Sequence, residues 1–104
     1  MKIKEKIKNT CLQQLNERGM DQVSLRSIAS ELQISHGNVA YHYANIDKIV
    51  EALYYDLIEK LNQRVDSELQ SDVQFESMYA SVLFLLQSFY EYRFIFQHFD
   101  AILR

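Results

Sequence analysis

Val23-Ser24-Leu25-Arg26-Ser27-Ile28-Ala29-Ser30-Glu31-Leu32-Gln33-Ile34-Ser35-His36-Gly37-Asn38-Val39-Ala40-Tyr41-His42-Tyr43 decides the fold of this 104-residue chain. Ser24 is a good N-cap, and Leu25, Ile28, Ala29 and Leu32 fall on one face of the short helix behind it. Gln33 and Ile34 make a turn. Ser35 then caps another short helix, with Val39 and Tyr43 as an i, i+4 core-facing pair. The second helix is rich in small polar, aromatic and histidine side chains. Two short helices about a tight turn, the second so decorated, form the pattern of a helix-turn-helix reader whose partner is duplex DNA.

Outward from this stretch the periodicity stays helical. Ile3, Ile7, Cys11 and Leu15 recur every fourth residue, with Leu12 beside them, which predicts a first helix from about Lys2 to Arg18. Gly19 is its stop. Lys2, Lys4, Lys6 and Lys8 crowd its first turns, where they oppose the helix dipole and serve either as a solubilising end or as phosphate contacts. Asn45 caps a fourth helix, Ile46 to Leu69, with Asp47 well placed in its first turn and Val50, Leu53, Tyr54, Leu57, Ile58, Leu61 and Val65 on the 3.6-residue period. Ser71-Asp72 marks a break. Phe75, Met78, Tyr79, Val82, Leu83, Leu86, Phe89 and Tyr90 define a fifth helix, and Tyr92 to Leu103 a sixth or a kinked continuation. No alternating strand pattern occurs, so the fold class is all-α. The organisation expected is a helix-turn-helix unit over 1–46 and the start of a helical bundle over 47–104. The last two helices are apolar around much of their girth (Phe84, Leu85, Phe94, Ile95, Phe96, Phe99, Ile102, Leu103), so they need neighbours from a second copy or a longer chain.

Net charge is −3, yet its distribution favours a nucleic-acid partner at the front. Residues 1–49 hold seven lysines and arginines against five acids, and residues 50–104 hold four against nine. The single cysteine, Cys11, excludes an internal disulfide and fits a reducing, cytoplasmic setting. No apolar run is long enough to span a membrane, and Met1 to Lys8 is too charged for a secretory signal.

Residues 7–54 resemble the N-terminal DNA-binding domain of the TetR/AcrR family of bacterial repressors. The resemblance rests on Gly19, the Val23-Ser24-Leu25-Arg26-x-Ile28-Ala29 block, Leu32-x-Ile34-Ser35-x-Gly37-Asn38-Val39, and Tyr41-His42-Tyr43 followed by Asn45 and a long amphipathic helix. It implies a three-helix unit joined by a fourth helix to an all-α effector and dimerisation domain, a homodimer on a palindromic operator, and repression relieved by a small molecule. Three positions depart from the family pattern. Gln33 stands where glycine is usual, at a cost of about 1 kcal/mol if its φ is positive. Ala40 replaces an aromatic residue, which removes one expected contact. Ile46 replaces a basic residue, for which Lys48 partly substitutes.

A recognition helix presents its N-terminal side chains to base edges. The exposed positions expected before Tyr41 are His36, Gly37, Asn38 and Ala40. Asn38 is the best base reader, because an amide pairs bidentately with adenine. His36 can donate to base or phosphate, and Gly37 allows close approach. Tyr41 and His42 suit phosphate contact; Tyr43 belongs to the core. The resemblance places a DNA-contacting arginine at Arg26, and Ser24 and Ser35 can share their hydroxyls with phosphate. No cofactor is implied. Tyr54, Tyr55, Phe75, Tyr79, Phe84 and Phe89 are either packed core or the lining of a cavity for an apolar effector between the fourth and fifth helices.

Catalysis is disfavoured. His36 and His42 are six residues apart, off the i, i+3/i+4 face that paired metal ligands need, and no glycine-rich phosphate loop occurs. The remaining alternative is a helical protein-interaction module that has lost DNA binding, as Ala40, Ile46 and the negative net charge would allow.

Overall fold

The computed structural model describes residues 2–69 and 75–97, with side chains over 2–66 and 79–95. Its helices are α1 (Ile3–Arg18), α2 (Leu25–Leu32), α3 (His36–His42), α4 (Ile46–Leu69), α5 (Phe75–Glu91) and α6 (Phe94–Gln97), with a 3-10 turn at Met20–Gln22. Among the described residues there is no strand, and no helix is long and apolar enough to cross a membrane. The break expected at Ser71-Asp72 and the apolar positions Phe99, Ile102 and Leu103 lie outside the described residues, as do the side chains of Phe75, Met78 and Phe96.

Each boundary has a local cause. Gly19 ends α1 at φ 86, donating its N–H to the Leu15 carbonyl. The Ser24 hydroxyl accepts from Ser27 N–H at the start of α2, and Ser35 accepts from Asn38 N–H at the start of α3. Gln33 closes α2 in the left-handed region (φ 57, ψ 43), while Ile34 N–H reaches back to the Ala29 carbonyl. With the bond from Gln33 N–H to the Ser30 carbonyl it makes a Schellman ending, whose left-handed residue here is not glycine. Asn45 accepts from Lys48 N–H and caps α4.

One core cluster runs through all the helices around the turn. Ile7, Cys11 and Leu15 of α1 meet Ile28 and Ala29 of α2, Val39 of α3, and Ile49, Val50, Leu53 and Leu57 of α4. Tyr92, Phe94 and Ile95 complete it from the α5–α6 bend. Ile49 was not on the sequence-derived stripe of α4, whereas Ile58 and Val65, which were, stand half exposed. Leu53, Leu57 and Leu61 keep to the core, so Ile58 and Val65 fall on the flank of the buried face.

The lysines of α1 divide. Lys8 is largely buried and paired with Asp56 at 2.6 Å, which turns this candidate phosphate contact into a tie between α1 and α4. Burial disfavours its charge, but the bond and charge of Asp56 outweigh burial and raise its pKa. Lys4 lies 5.2 Å over the Tyr43 ring. Lys60 pairs with Glu91 at 2.8 Å between α4 and α5. A side-chain amide seats the far end of the chain on α1: Asn16 donates to the Glu91 carbonyl at 2.7 Å and accepts from Phe94 N–H at 3.0 Å. Within the described residues the chain bends at Tyr92-Arg93 and α6 starts at Phe94; the rest of the stretch expected to run to Leu103 lies outside them.

Candidate nucleic-acid interface

α3 is a short helix that buries only Val39, with Tyr43 packed behind its last turn. With Val39 inward, His36, Gly37, Asn38 and Tyr41 lie on the exposed side. Tyr41 is 86% exposed, the most open of the large apolar side chains described. Its ring meets the His42 ring edge-on, with centroids 5.2 Å apart. One expectation needs correction. Ala40 was placed among the exposed positions, but it is half-buried; His42 is half-buried too. One follows Val39 directly and the other lies three residues on, so both flank the buried face.

Ser24 and Arg26 are exposed at the start of α2, Ser35 is exposed at the start of α3, and Lys48 is exposed in the first turn of α4. Among the described residues Arg26 makes no ion pair, whereas Lys48 lies 3.6 Å from Glu51. Both partners of that pair are more than half exposed, so it holds Lys48 weakly. The fold asks little of Gly37: a methyl group there would meet only Ser35 Oγ, at 3.9 Å. The sequence-derived set thus gathers at the starts of α2, α3 and α4 and along the outer side of α3.

Two residues that shape this surface went unread. Gln14 of α1 is fully buried, and both ends of its amide engage Ser27. Ser27 in turn bonds Ser24 reciprocally. The signals were present. Position 14 lies seven residues past Ile7 and three past Cys11, on the core face, where an amide must find partners. Ser24-x-x-Ser27 is a capping box with serine in place of glutamate or glutamine.

An apolar hollow of about 470 Å³ is lined by Asp47, Val50, Glu51, Tyr54, Tyr55 and Ile58, all on α4. It lies on one helix, unlike the cavity between α4 and α5 that was expected. Phe84, expected to line that cavity, is covered by Lys60 and Arg64, at 5.9 and 5.7 Å from its ring. No group of three His, Cys, Asp or Glu among the described residues is placed to hold a metal ion.

A capped, Schellman-closed pair of short helices, the first locked to α1 and the second packed on the first and facing outward, defines a helix-turn-helix protein of the all-α class. Residues 9–53 match the family model for bacterial regulatory proteins of the tetR family. The fold of the whole chain agrees. A TetR-family transcriptional regulator from Marinobacter aquaeolei VT8 superposes with a TM-score of 0.91 at 24% identity, over 99% of this chain and 51% of that one. This chain therefore spans about half the length of that structure. Comparison with curated proteins gave no match.

Proposed function

We propose that this chain is a DNA-binding regulator of transcription, non-catalytic, whose α3 enters the major groove. Residues 1–46 form the DNA-binding unit and residues 47–104 the start of an effector and dimerisation domain. In this reading Asn38 and His36 meet base edges, and the open space at Gly37 lets the DNA backbone approach closely. Ser24, Arg26, Ser35, Tyr41 and His42 hold phosphates, with Lys48 at the rim and Ala40 filling the flank of α3. The operator is palindromic and read by a homodimer in the cytoplasm, and repression is relieved by a small apolar effector.

One observation carries the reading. α3 gives up only Val39 to the core and leaves a tyrosine 86% exposed at the end of a row of polar side chains. A helix that contributes so little to the fold is displayed for a partner, and amide, histidine and tyrosine groups suit bases and phosphates.

Titrating a labelled duplex by fluorescence anisotropy at several salt concentrations tests this. Phosphate contacts release counterions, so affinity should fall steeply and log-linearly between about 50 and 200 mM salt. An affinity that ignores salt, or no binding at low salt, would favour the protein-interaction module. The exposed Val82, Leu86 and Phe89 of α5 support that second reading.

A further inference from the structure

Gln14 sits at 0% exposure in the seam where α1 meets α2, among Cys11, Leu15 and Ile28. A buried amide left unpaired costs about 1–3 kcal/mol, so its partners matter. Both belong to one residue. Gln14 Nε2 donates to the Ser27 carbonyl at 3.2 Å, and Gln14 Oε1 accepts from the Ser27 hydroxyl at 2.6 Å.

That second bond decides what Ser27 can do. A hydroxyl has one proton and two lone pairs. Ser27 Oγ must accept from Ser24 N–H (3.0 Å) to close the capping box, while Ser24 Oγ accepts from Ser27 N–H (3.1 Å). The Ser27 proton has a rival acceptor in the Ser24 carbonyl at 2.9 Å. The shorter bond to Gln14 draws the proton into the seam and leaves a lone pair facing Ser24 N–H. A serine is a short partner for this box, which glutamate or glutamine usually completes by reaching back unaided. Here the missing reach comes from another helix.

We propose that Gln14 is a positioning residue for DNA binding: buried in α1 and touching no nucleic acid, it fixes the first turn of α2 so that Ser24 and Arg26 meet the phosphate backbone in register. The proposal rests on the reading of that turn as phosphate-facing. Small displacements there matter, because phosphate contacts set the register of the whole unit on the duplex.

The test is the double variant Gln14→Leu/Ser27→Ala, which removes both polar partners together and leaves no buried group orphaned; the Ser24 N–H that loses its acceptor is exposed to water. It should melt close to the parent, yet bind every duplex about tenfold more weakly, with a salt slope shallower by about one contact. Amide exchange at residues 24–27 should quicken. In the rescue variant Gln14→Leu/Ser27→Gln, the longer side chain closes the box by itself, and affinity and slope should return. Unchanged affinity and slope in the double variant would overturn the proposal and leave Gln14 as core filling. A loss confined to one DNA sequence would overturn it too, since that marks base reading. If the unaltered chain binds no duplex at any salt, the DNA-binding reading itself fails, and this is seen before any substitution is made. Should the double variant not fold, Ser27→Ala alone, with the same three readouts, decides the matter.

Discussion

Asn38 and Arg26 are both exposed and should fail differently. Asn38 follows Ser35 by three residues in a helix whose phase is set by buried Val39, so its amide points away from the core. Asn38→Ala should cost about 1–3 kcal/mol of discrimination at one base pair and leave the salt slope intact. Arg26→Ala should weaken all duplexes alike and lower the slope by about one. Binding measured on a panel of single-base operator variants separates them, and identical profiles for the two substitutions would refute the division of labour. Both positions were legible in the sequence because a capping serine and one apolar anchor fix the rotation of a short helix. For Gln14 the burial was legible from its place on the core face, but its partner was not, since that is a hydroxyl thirteen residues away that no periodicity announces.

At the level of elements, the turn between α2 and α3 stores a small strain. Gln33 occupies the left-handed region at φ 57, where a side chain costs about 1 kcal/mol that glycine avoids. The Schellman bonds and the packing of Ile34 hold it there. Gln33→Gly should therefore raise stability, by up to about 0.5 kcal/mol once the added freedom of the unfolded glycine is subtracted, with DNA affinity unchanged. Gln33→Val should lower it by 1 kcal/mol or more, approximately, because a β-branched residue tolerates that conformation worst. Urea midpoints decide, and a stabilising valine would mean the turn relaxes. Longer elements were easier to read than this turn's neighbours. The four principal caps, at Gly19, Ser24, Ser35 and Asn45, carry side-chain or backbone signatures, and α1 and α4 carry the period. The 3-10 turn at Met20–Gln22 is too short to have a period, and the restart of the chain as α6 depends on Asn16, a residue of α1.

At the scale of the whole molecule, four buried or half-buried ionisable groups among the described residues point the same way. Burial pushes the Cys11 thiol up to about 12 and also raises Tyr43 and Tyr92. Lys8, the tie between α1 and α4, is raised by Asp56 in spite of its burial. Each group therefore holds its proton more tightly folded than unfolded. Stability is whole below the unfolded pKa and drains away as pH rises towards the folded one. The groups separate by window. An unfolded thiol ionises near pH 8.5, whereas unfolded tyrosine and lysine wait until about 10. Between about pH 8.5 and 10 the loss should come from Cys11 alone, approaching about 1.4 kcal/mol per pH unit once the unfolded thiol is ionised. Denaturant midpoints across that range should fall in the parent and stay level in Cys11→Ala, which sets a lower but flat baseline because a buried group has been trimmed. In the same range Cys11 should react with a thiol reagent only as fast as the fold opens. Parallel pH profiles for parent and variant, or ready labelling of the folded chain, would mean the seam between α1 and its neighbours is open to water.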